Sequence, residues 1–231
     1  MKKALFITVW ALWLFSQSSL AAELIPFKAE YDVYRNTSKV GIAQFNLQHE
    51  NGLWNWDIKT ELQGFYRFLT SKKPFTHTLM QVVNQQPQLL LEENGDYPDK
   101  PAQHTAWFDY RSKTVYSMKD QTVNTTELPD KIYNYHSIHL LYPDMLQQNA
   151  PEMKVNFYRK GSISPSTITL ERGVKLRHKS HKLVVDRITQ RFGDSDKTMI
   201  YDYQNGSSVP IRIEQIKPGK DSTMMWRTSS I

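Results

Sequence analysis

The sequence predicts an all-β domain: one antiparallel sheet curved into a barrel or half-barrel, with one short helix packed on it or in it. Three observations support this prediction. Apolar and polar residues alternate with a period of two over many short segments, beginning with residues 27–33. Turn residues such as Asn51-Gly52, a strong hairpin signal, separate these segments. Helical spacing is confined mainly to residues 130–148, which is too little helix for an alternating β-α fold.

The N-terminal segment predicts export. Two lysines precede an apolar run that ends at residue 15, and small residues follow at Ser19 and Ala21. We expect cleavage after Ala21, which leaves a signal peptide of residues 1–21 and a single β-rich domain of residues 22–231. The apolar run is too short to cross about 30 Å of hydrocarbon, so we expect no transmembrane segment after cleavage. The periplasm of a bacterium is the predicted location.

Composition excludes several classes of function. The 231 residues include no cysteine, which excludes a disulfide scaffold, a cysteine-ligated metal and a thiol nucleophile. The net charge is +6, and removal of the two signal-peptide lysines lowers it to +4. A nucleic-acid partner is not expected for an exported protein of such weak positive charge.

Fourteen segments of the mature chain have the pattern of a strand. The first three form an antiparallel meander, in which Gly41 marks a bulge or a close approach of two backbones. All fourteen are residues 27–33, 40–49, 53–62, 75–83, 88–93, 104–110, 114–118, 122–128, 154–159, 166–171, 183–191, 198–203, 209–217 and 223–228.

Two segments interrupt the period of two. Residues 64–69 do not alternate and are expected to form one helical turn. The longer helix is predicted from about residue 132 to 141, capped by Asp130, ended or interrupted by Pro143, and packed across the barrel or plugging it. The residues at helical spacing are Ile132, Tyr135, His136, His139 and Leu140.

An aromatic cluster is the main candidate for a ligand-binding face. Trp54, Trp56 and Ile58 alternate along one strand and so share a face, and we expect Phe45 and Leu47 to oppose them across the hairpin. Aromatic residues dominate protein cores, so one interpretation is a filled interior. A second is an open concave face for a lipid or other amphiphile, and a third is stacking of a sugar on a tryptophan. The predicted apolar site comprises Trp54, Trp56, Ile58, Phe65, Phe68 and Phe75.

Signals for catalysis and metal binding are weak. His136 and His139 would be neighbours on a helix and are the weak candidates for a metal site, but no third ligand lies nearby in the sequence. His178 and His181 share this spacing, although the basic residues around them would repel a cation. Hydrogen-bonded or solvated histidines are the alternative that we favour. No Gly-x-Ser-x-Gly or Ser-x-x-Lys signature is present, so we assign no catalytic residue and no cofactor.

Residues 171–191 carry seven lysines and arginines against two acidic residues. One interpretation is a surface that contacts an anionic membrane or an acidic envelope polymer, at about 1 kcal/mol per basic residue. The other is a solvated hairpin whose charges prevent aggregation between sheets. The proposed contact residues are Arg172, Lys175, Arg177, Lys179 and Lys182.

Two stretches resemble a known family. Residues 31–36, Tyr-Asp-Val-Tyr-Arg-Asn, are followed by Val40-Gly41, and residues 208–214 form a late segment that contains Pro210. These motifs resemble exported bacterial proteins grouped as domain of unknown function 3108, over residues 27–228. The resemblance implies an exported, β-rich, barrel-like or curved-sheet domain, and it supplies no catalytic residues.

The function predicted from these observations is that of a non-enzymatic periplasmic binding or carrier protein for an apolar or amphipathic envelope molecule, such as a lipid or an acyl chain. One alternative is an envelope enzyme that acts on glycan or peptidoglycan, with carboxylates or the histidines of the helix assembled in space. Another is an interaction module that assists envelope assembly through its basic hairpin.

Overall fold

The structure is a computed structural model that describes residues 24–69, 73–84, 86–96, 101–148, 150–178, 181–204, 207, 209–219 and 221–226. The predicted signal peptide, Lys179 and the side chain of Phe68 lie outside this description, as do the side chains of His178 and His181.

The described residues form fourteen strands, and each of the fourteen predicted segments overlaps one of them. The strands are β1 Phe27–Arg35, β2 Ser38–Glu50, β3 Leu53–Leu62, β4 Pro74–Val83, β5 Gln86–Asp96, β6 His104–Asp109, β7 Thr114–Lys119, β8 Thr122–Glu127, β9 Glu152–Arg159, β10 Ser162–His178, β11 His181–Phe192, β12 Thr198–Gln204, β13 Arg212–Ile216 and β14 Ser222–Trp226.

All fourteen strands belong to one antiparallel sheet, so the predicted fold class is confirmed. Their order in the sheet is β8-β7-β6-β5-β4-β3-β2-β1-β14-β13-β12-β11-β10-β9. Neighbours in the sheet are neighbours in the chain except where β1 pairs with β14, with Tyr31 opposite Trp226. This pair joins an N-terminal and a C-terminal meander into one curved wall and leaves β8 and β9 at the two edges.

The wall closes through a crossing segment between its two edges. The crossing segment is residues 128–136, which follow β8 and pass beside β9 in space. There the Tyr133 N–H donates to the Asn156 carbonyl at 3.0 Å, and the Tyr158 N–H donates to the Tyr133 carbonyl at 2.7 Å. The Tyr158 side chain then reaches β6, with 3.3 Å between its hydroxyl and Nε2 of His104. We call this boundary between β9 and the N-terminal meander the seam.

The helical region starts later than the sequence predicts. A 3₁₀ helix spans Ser137–Leu140 and an α-helix, α2, spans Leu141–Gln147. The predicted start near residue 132 is wrong because the backbone of Tyr133 bonds to β9 and is unavailable to a helix. Pro143 does not end the helix, because it lies in the first turn of α2, where the helix needs no N–H donor.

The two α-helices lie at different places in the fold. The predicted helical turn is confirmed as α1, Phe65–Leu69, which follows β3. Residues of α2, namely Leu141, Tyr142 and Met145, are buried in the larger of two apolar clusters inside the barrel, so this helix plugs the interior. No helix in the described part of the chain is both long and apolar enough to cross a membrane.

Gly41 allows two backbones to approach closely, as predicted. The pairing of β1 with β2 shifts register between Val33 and Tyr34, next to this glycine. A Cβ atom on Gly41 would overlap the carbonyl oxygen of Glu61 in β3. Because the obstructing atom is backbone, a side chain here requires the two strands to move apart.

We therefore expect Gly41→Ala to lower the free energy of unfolding by about 2 kcal/mol through overpacking. Urea denaturation of the mature protein measures this change. Gln44→Ala, at an exposed position of the same strand, is the control and should change stability by less than about 0.5 kcal/mol. A Gly41→Ala variant as stable as the control would contradict the close approach of β2 and β3.

Candidate functional site

Half of the predicted aromatic face lies inside the barrel. Trp54 and Trp56 are 9% and 2% exposed, and Ile58 packs between the two apolar clusters. The predicted hairpin partners are confirmed, since Phe45 pairs with Ile58 and Leu47 pairs with Trp56. These side chains fill the interior, which is the first of the interpretations that the sequence left open.

Two other members of the predicted face lie elsewhere. Phe65 is 70% exposed on α1. In β4, Thr76 pairs with Ile58 and shares its inward face, so the adjacent Phe75 faces outward, where its ring lies against Gly95. The described members of the set therefore do not form one continuous surface.

Trp56 stacks against two histidines, His136 and His139. Its ring centroid is 5.3 Å from that of His136 and 5.4 Å from that of His139, with interplanar angles of 8° and 28°. Nδ1 of His136 lies 2.6 Å from Oγ1 of Thr78, whereas Nδ1 of His139 bonds to the hydroxyl of Tyr203. The two histidines thus have different partners, and no group of three potential metal ligands occurs among the described residues.

Burial keeps both histidines neutral. Desolvation lowers the pKa of His139 to about 3, and it lowers the pKa of His136 well below 6.5, as do the nearby His139 and His77. Nε2 of His136 and Nε1 of Trp56 are buried without a hydrogen-bond partner among the described residues. The aromatic stack is held by packing and by the Nδ1 bonds.

A buried carboxyl group, Glu92, lies beside this stack. Asn134 donates from Nδ2 to Oε2 of Glu92 at 2.7 Å and to Oγ1 of Thr78 at 2.9 Å, and Asn94 donates to Oε1 of Glu92 at 2.9 Å. Burial raises the pKa of Glu92 to about 7, against the lowering effect of both amide hydrogen bonds. Glu93, the next residue, is half-buried on the other face of β5.

Asn134 connects the start of the 3₁₀ helix to the sheet. Its Oδ1 accepts hydrogen bonds from the backbone N–H groups of His136 at 3.1 Å and Ser137 at 2.9 Å, while its Nδ2 reaches β4 and β5. Asn134 and Glu92 are not predictable as a pair from the sequence, because nothing local in the chain brings residues 92 and 134 together. The predicted helix start near residue 132 placed Asn134 inside the helix, whereas the observed 3₁₀ helix begins at Ser137 and Asn134 bonds to the N–H groups at its start.

A cleft lies at the seam and opens to solvent. Its volume is about 470 Å³. Tyr133 and Leu141, both buried, form its floor with the half-buried Met153 and Val155. The other described residues of this seam cleft are Gln86, Lys131, Gln148, Lys154, Asn156 and Pro165.

The charged residues among those that line the seam cleft are all basic. Lys131 and Lys154 are exposed at its rim, and neither forms an ion pair with any described residue. A second depression, of about 350 Å³, lies on the outer face of β1, β2 and β3. There Lys28 and Lys59 are balanced by two acidic residues, so an excess of positive charge distinguishes the seam cleft.

Comparisons with known proteins identify the fold and no function. No family model matches the sequence, and no curated protein matches it. A solved β-barrel-like protein of the domain of unknown function DUF1849, from Brucella abortus, aligns with a TM-score of 0.56 over 89% of this chain and 97% of that chain. The sequence identity is 10%, so this likeness shows a shared β-barrel-like fold alone. Membership of domain of unknown function 3108 stays a prediction.

Proposed function

We propose that this protein is an exported, non-catalytic binding protein for an amphiphile that has an alkyl chain and an anionic head group. The observation that carries this proposal is the seam cleft, which combines an apolar floor with a rim of unpaired lysines. Its volume of about 470 Å³ lies within the range of roughly 300–1,000 Å³ that is common for small-molecule sites.

The floor supplies the apolar part of the site. Tyr133 and Leu141 belong to the larger apolar cluster, and Met153 and Val155 pack against it from the edge strand β9. An alkyl chain on these residues extends the core of the protein. Burial of eight methylene groups contributes roughly 6 kcal/mol before the costs of ordering the ligand.

The rim supplies recognition of the head group. Lys131 and Lys154 have ammonium groups without an ionic partner in the described residues, and the side chains of Gln148 and Asn156 offer further donors. A carboxylate or a phosphate fits this set, because its charge is opposite and it accepts several hydrogen bonds. The expected ligands are therefore single-chain lipids such as a fatty acid or a lysophospholipid.

The predicted export of the chain agrees with such a ligand. A signal peptide would deliver the mature domain to the cell envelope, where lipids with anionic head groups occur. In this proposal the site is not the predicted tryptophan face, which belongs to the smaller apolar cluster and is filled by the protein's own side chains, but the edge of the larger apolar cluster.

Fluorescence titration of the mature protein with dansyl-labelled undecanoic acid tests the proposal. We expect saturable binding to the wild type, and at least tenfold weaker binding, about 1.4 kcal/mol, to the double variant Lys131→Glu/Lys154→Glu. The matched control is Lys28→Glu/Lys59→Glu in the outer depression, which makes the same change in net charge and should bind like the wild type.

Thermal unfolding of each variant checks that the fold is retained. A second variant, Met153→Asp, leaves the lysines in place and should weaken binding by placing a carboxylate in the floor. No binding to the wild type, or equal affinity losses in the cleft and control double variants, would overturn the proposal.

A further inference from the structure

The hairpin of β10 and β11 extends beyond the wall of the barrel. β10 pairs with β9 only as far as Thr169, and β11 pairs with β12 only from Val185 onward. The two strands nevertheless pair with each other out to His178 and His181. Residues 174–178 and 181–184 therefore form a two-stranded arm with no third strand beside it in the described chain.

The arm has one apolar face. Val174 pairs with Val185, and Leu176 pairs with Leu183, so these four side chains point the same way. They form a third, small apolar cluster with Ile211 and Trp226. This contact attaches the arm to the barrel and determines which face remains free.

The free face is basic. Lys175 pairs with Val184, and Arg177 pairs with Lys182, so these four side chains share the opposite face. All four are exposed, and Val184 is 62% exposed. Direct opposition of Arg177 and Lys182 is unfavourable, because like charges across a strand pair repel.

No acidic residue within the arm relieves this repulsion. Residues 174–178 and 181–184 contain no Asp or Glu. At the base of the arm, Asp186 accepts hydrogen bonds from the Gly173 N–H at 3.2 Å and from the Tyr142 hydroxyl at 3.1 Å. Arg172 donates to the Leu146 carbonyl at 2.9 Å, so we leave it out of the free basic face.

We propose that Lys175, Arg177, Lys182 and Val184 dock this protein on the surface of a membrane rich in anionic phospholipids. Cations alone would suit either an anionic polymer or a membrane. The exposed valine among them favours the membrane, because an interface accepts apolar groups below the level of the head groups. This inference goes beyond amphiphile binding and does not depend on it, because the arm shares no residue with the seam cleft.

Co-sedimentation of the mature protein with lipid vesicles tests the inference. We expect binding to vesicles of equal parts phosphatidylglycerol and phosphatidylcholine, and none to pure phosphatidylcholine. The triple variant Lys175→Gln/Arg177→Gln/Lys182→Gln should bind the anionic vesicles about a hundredfold more weakly. The control Lys28→Gln/Arg111→Gln/Lys119→Gln neutralises three exposed cations outside the arm and should bind like the wild type.

Two further variants separate this inference from its alternatives. The seam-cleft variant Lys131→Glu/Lys154→Glu should keep most of the vesicle binding of the wild type. A failure of the seam cleft to bind its ligand is therefore distinguishable from a failure of the arm to bind membranes. Val184→Ser should weaken vesicle binding several-fold, and an unchanged affinity would overturn the choice of a membrane over an anionic polymer. Equal vesicle binding by the arm variant and its control would overturn the docking surface itself.

Discussion

Lowering the pH below 6.5 is expected to destabilise this protein through His136 and His139. Both are buried and neutral, and the pKa of His139 is lowered to about 3. In the unfolded chain both titrate near pH 6.5, so between these pH values the unfolded state binds protons that the folded state does not. Their contribution to stability is fully present above pH 6.5 and is lost as the pH falls toward the folded pKa values.

Glu92 acts in the opposite direction. Burial raises its pKa from 4.5 to about 7, so its contribution is fully present below pH 4.5 and is lost as the pH rises through 7. Between pH 4.5 and 6.5 the two histidines bind protons in the unfolded state while Glu92 keeps one in the folded state. At about 1.4 kcal/mol per pKa unit, we expect a net loss of a few kcal/mol on acidification through this range and a steeper fall below it.

Urea denaturation at several pH values from 7 down to 4 measures this dependence. We expect His139→Phe to be less stable than the wild type at pH 7, because the Tyr203 hydroxyl loses its partner, but to lose less stability on acidification. The control is His49→Phe, at an exposed position where the ring stacks on Trp54, and it should keep the pH dependence of the wild type. Identical pH dependence in the His139 variant and the wild type would contradict this explanation.

Asp202→Asn is expected to lower the free energy of unfolding by about 3 kcal/mol. Asp202 is fully buried in β12, between Arg187 of β11 and Arg212 of β13, which are its register partners. Arg187 donates from Nε at 2.7 Å and Arg212 from Nη1 at 3.4 Å. Loss of the carboxylate leaves Arg187, about one-fifth exposed, facing a neutral amide, while Arg212 keeps its ion pair with Glu214.

Equilibrium urea denaturation again supplies the measurement. Asp194→Asn is a matched control, because Asp194 pairs with Arg159 at 3.0 Å but is 34% exposed. Loss of this ion pair should lower the free energy of unfolding by less than about 1 kcal/mol, since solvent screens an exposed pair. Similar losses in the two variants would mean that burial of Asp202 does not strengthen its ion pairs.

Local pattern was sufficient to predict the strands. β3 spans Leu53–Leu62, as predicted, because its alternation is continuous and Asn51-Gly52 turns the chain before it. Both turn residues have positive φ, 53° and 78°, which asparagine and glycine tolerate. β10 is longer than predicted, because a register shift between Glu171 and Val174 breaks the period of two without ending the strand.

Pairing between distant parts of the chain was not predictable in this way. Nothing local in β1 and β14 indicates that Tyr31 lies opposite Trp226, and nothing near Tyr133 indicates that its backbone bonds to β9 in place of a helix. The seam cleft follows from the second of these contacts, because it lies between Tyr133 and the edge strand. The alternation of Trp54 and Trp56 predicted a site on side chains that the barrel buries.

The sequence by itself determined the β class, the turns and the alternation of side chains, because these depend on residues a few positions apart. Only the tertiary structure decided the partners of His136, the burial of Glu92 and the position of the cleft. The environment of a side chain depends on which distant strands close around it, and in this barrel that closure is made by the β1–β14 pair and the crossing segment at the seam.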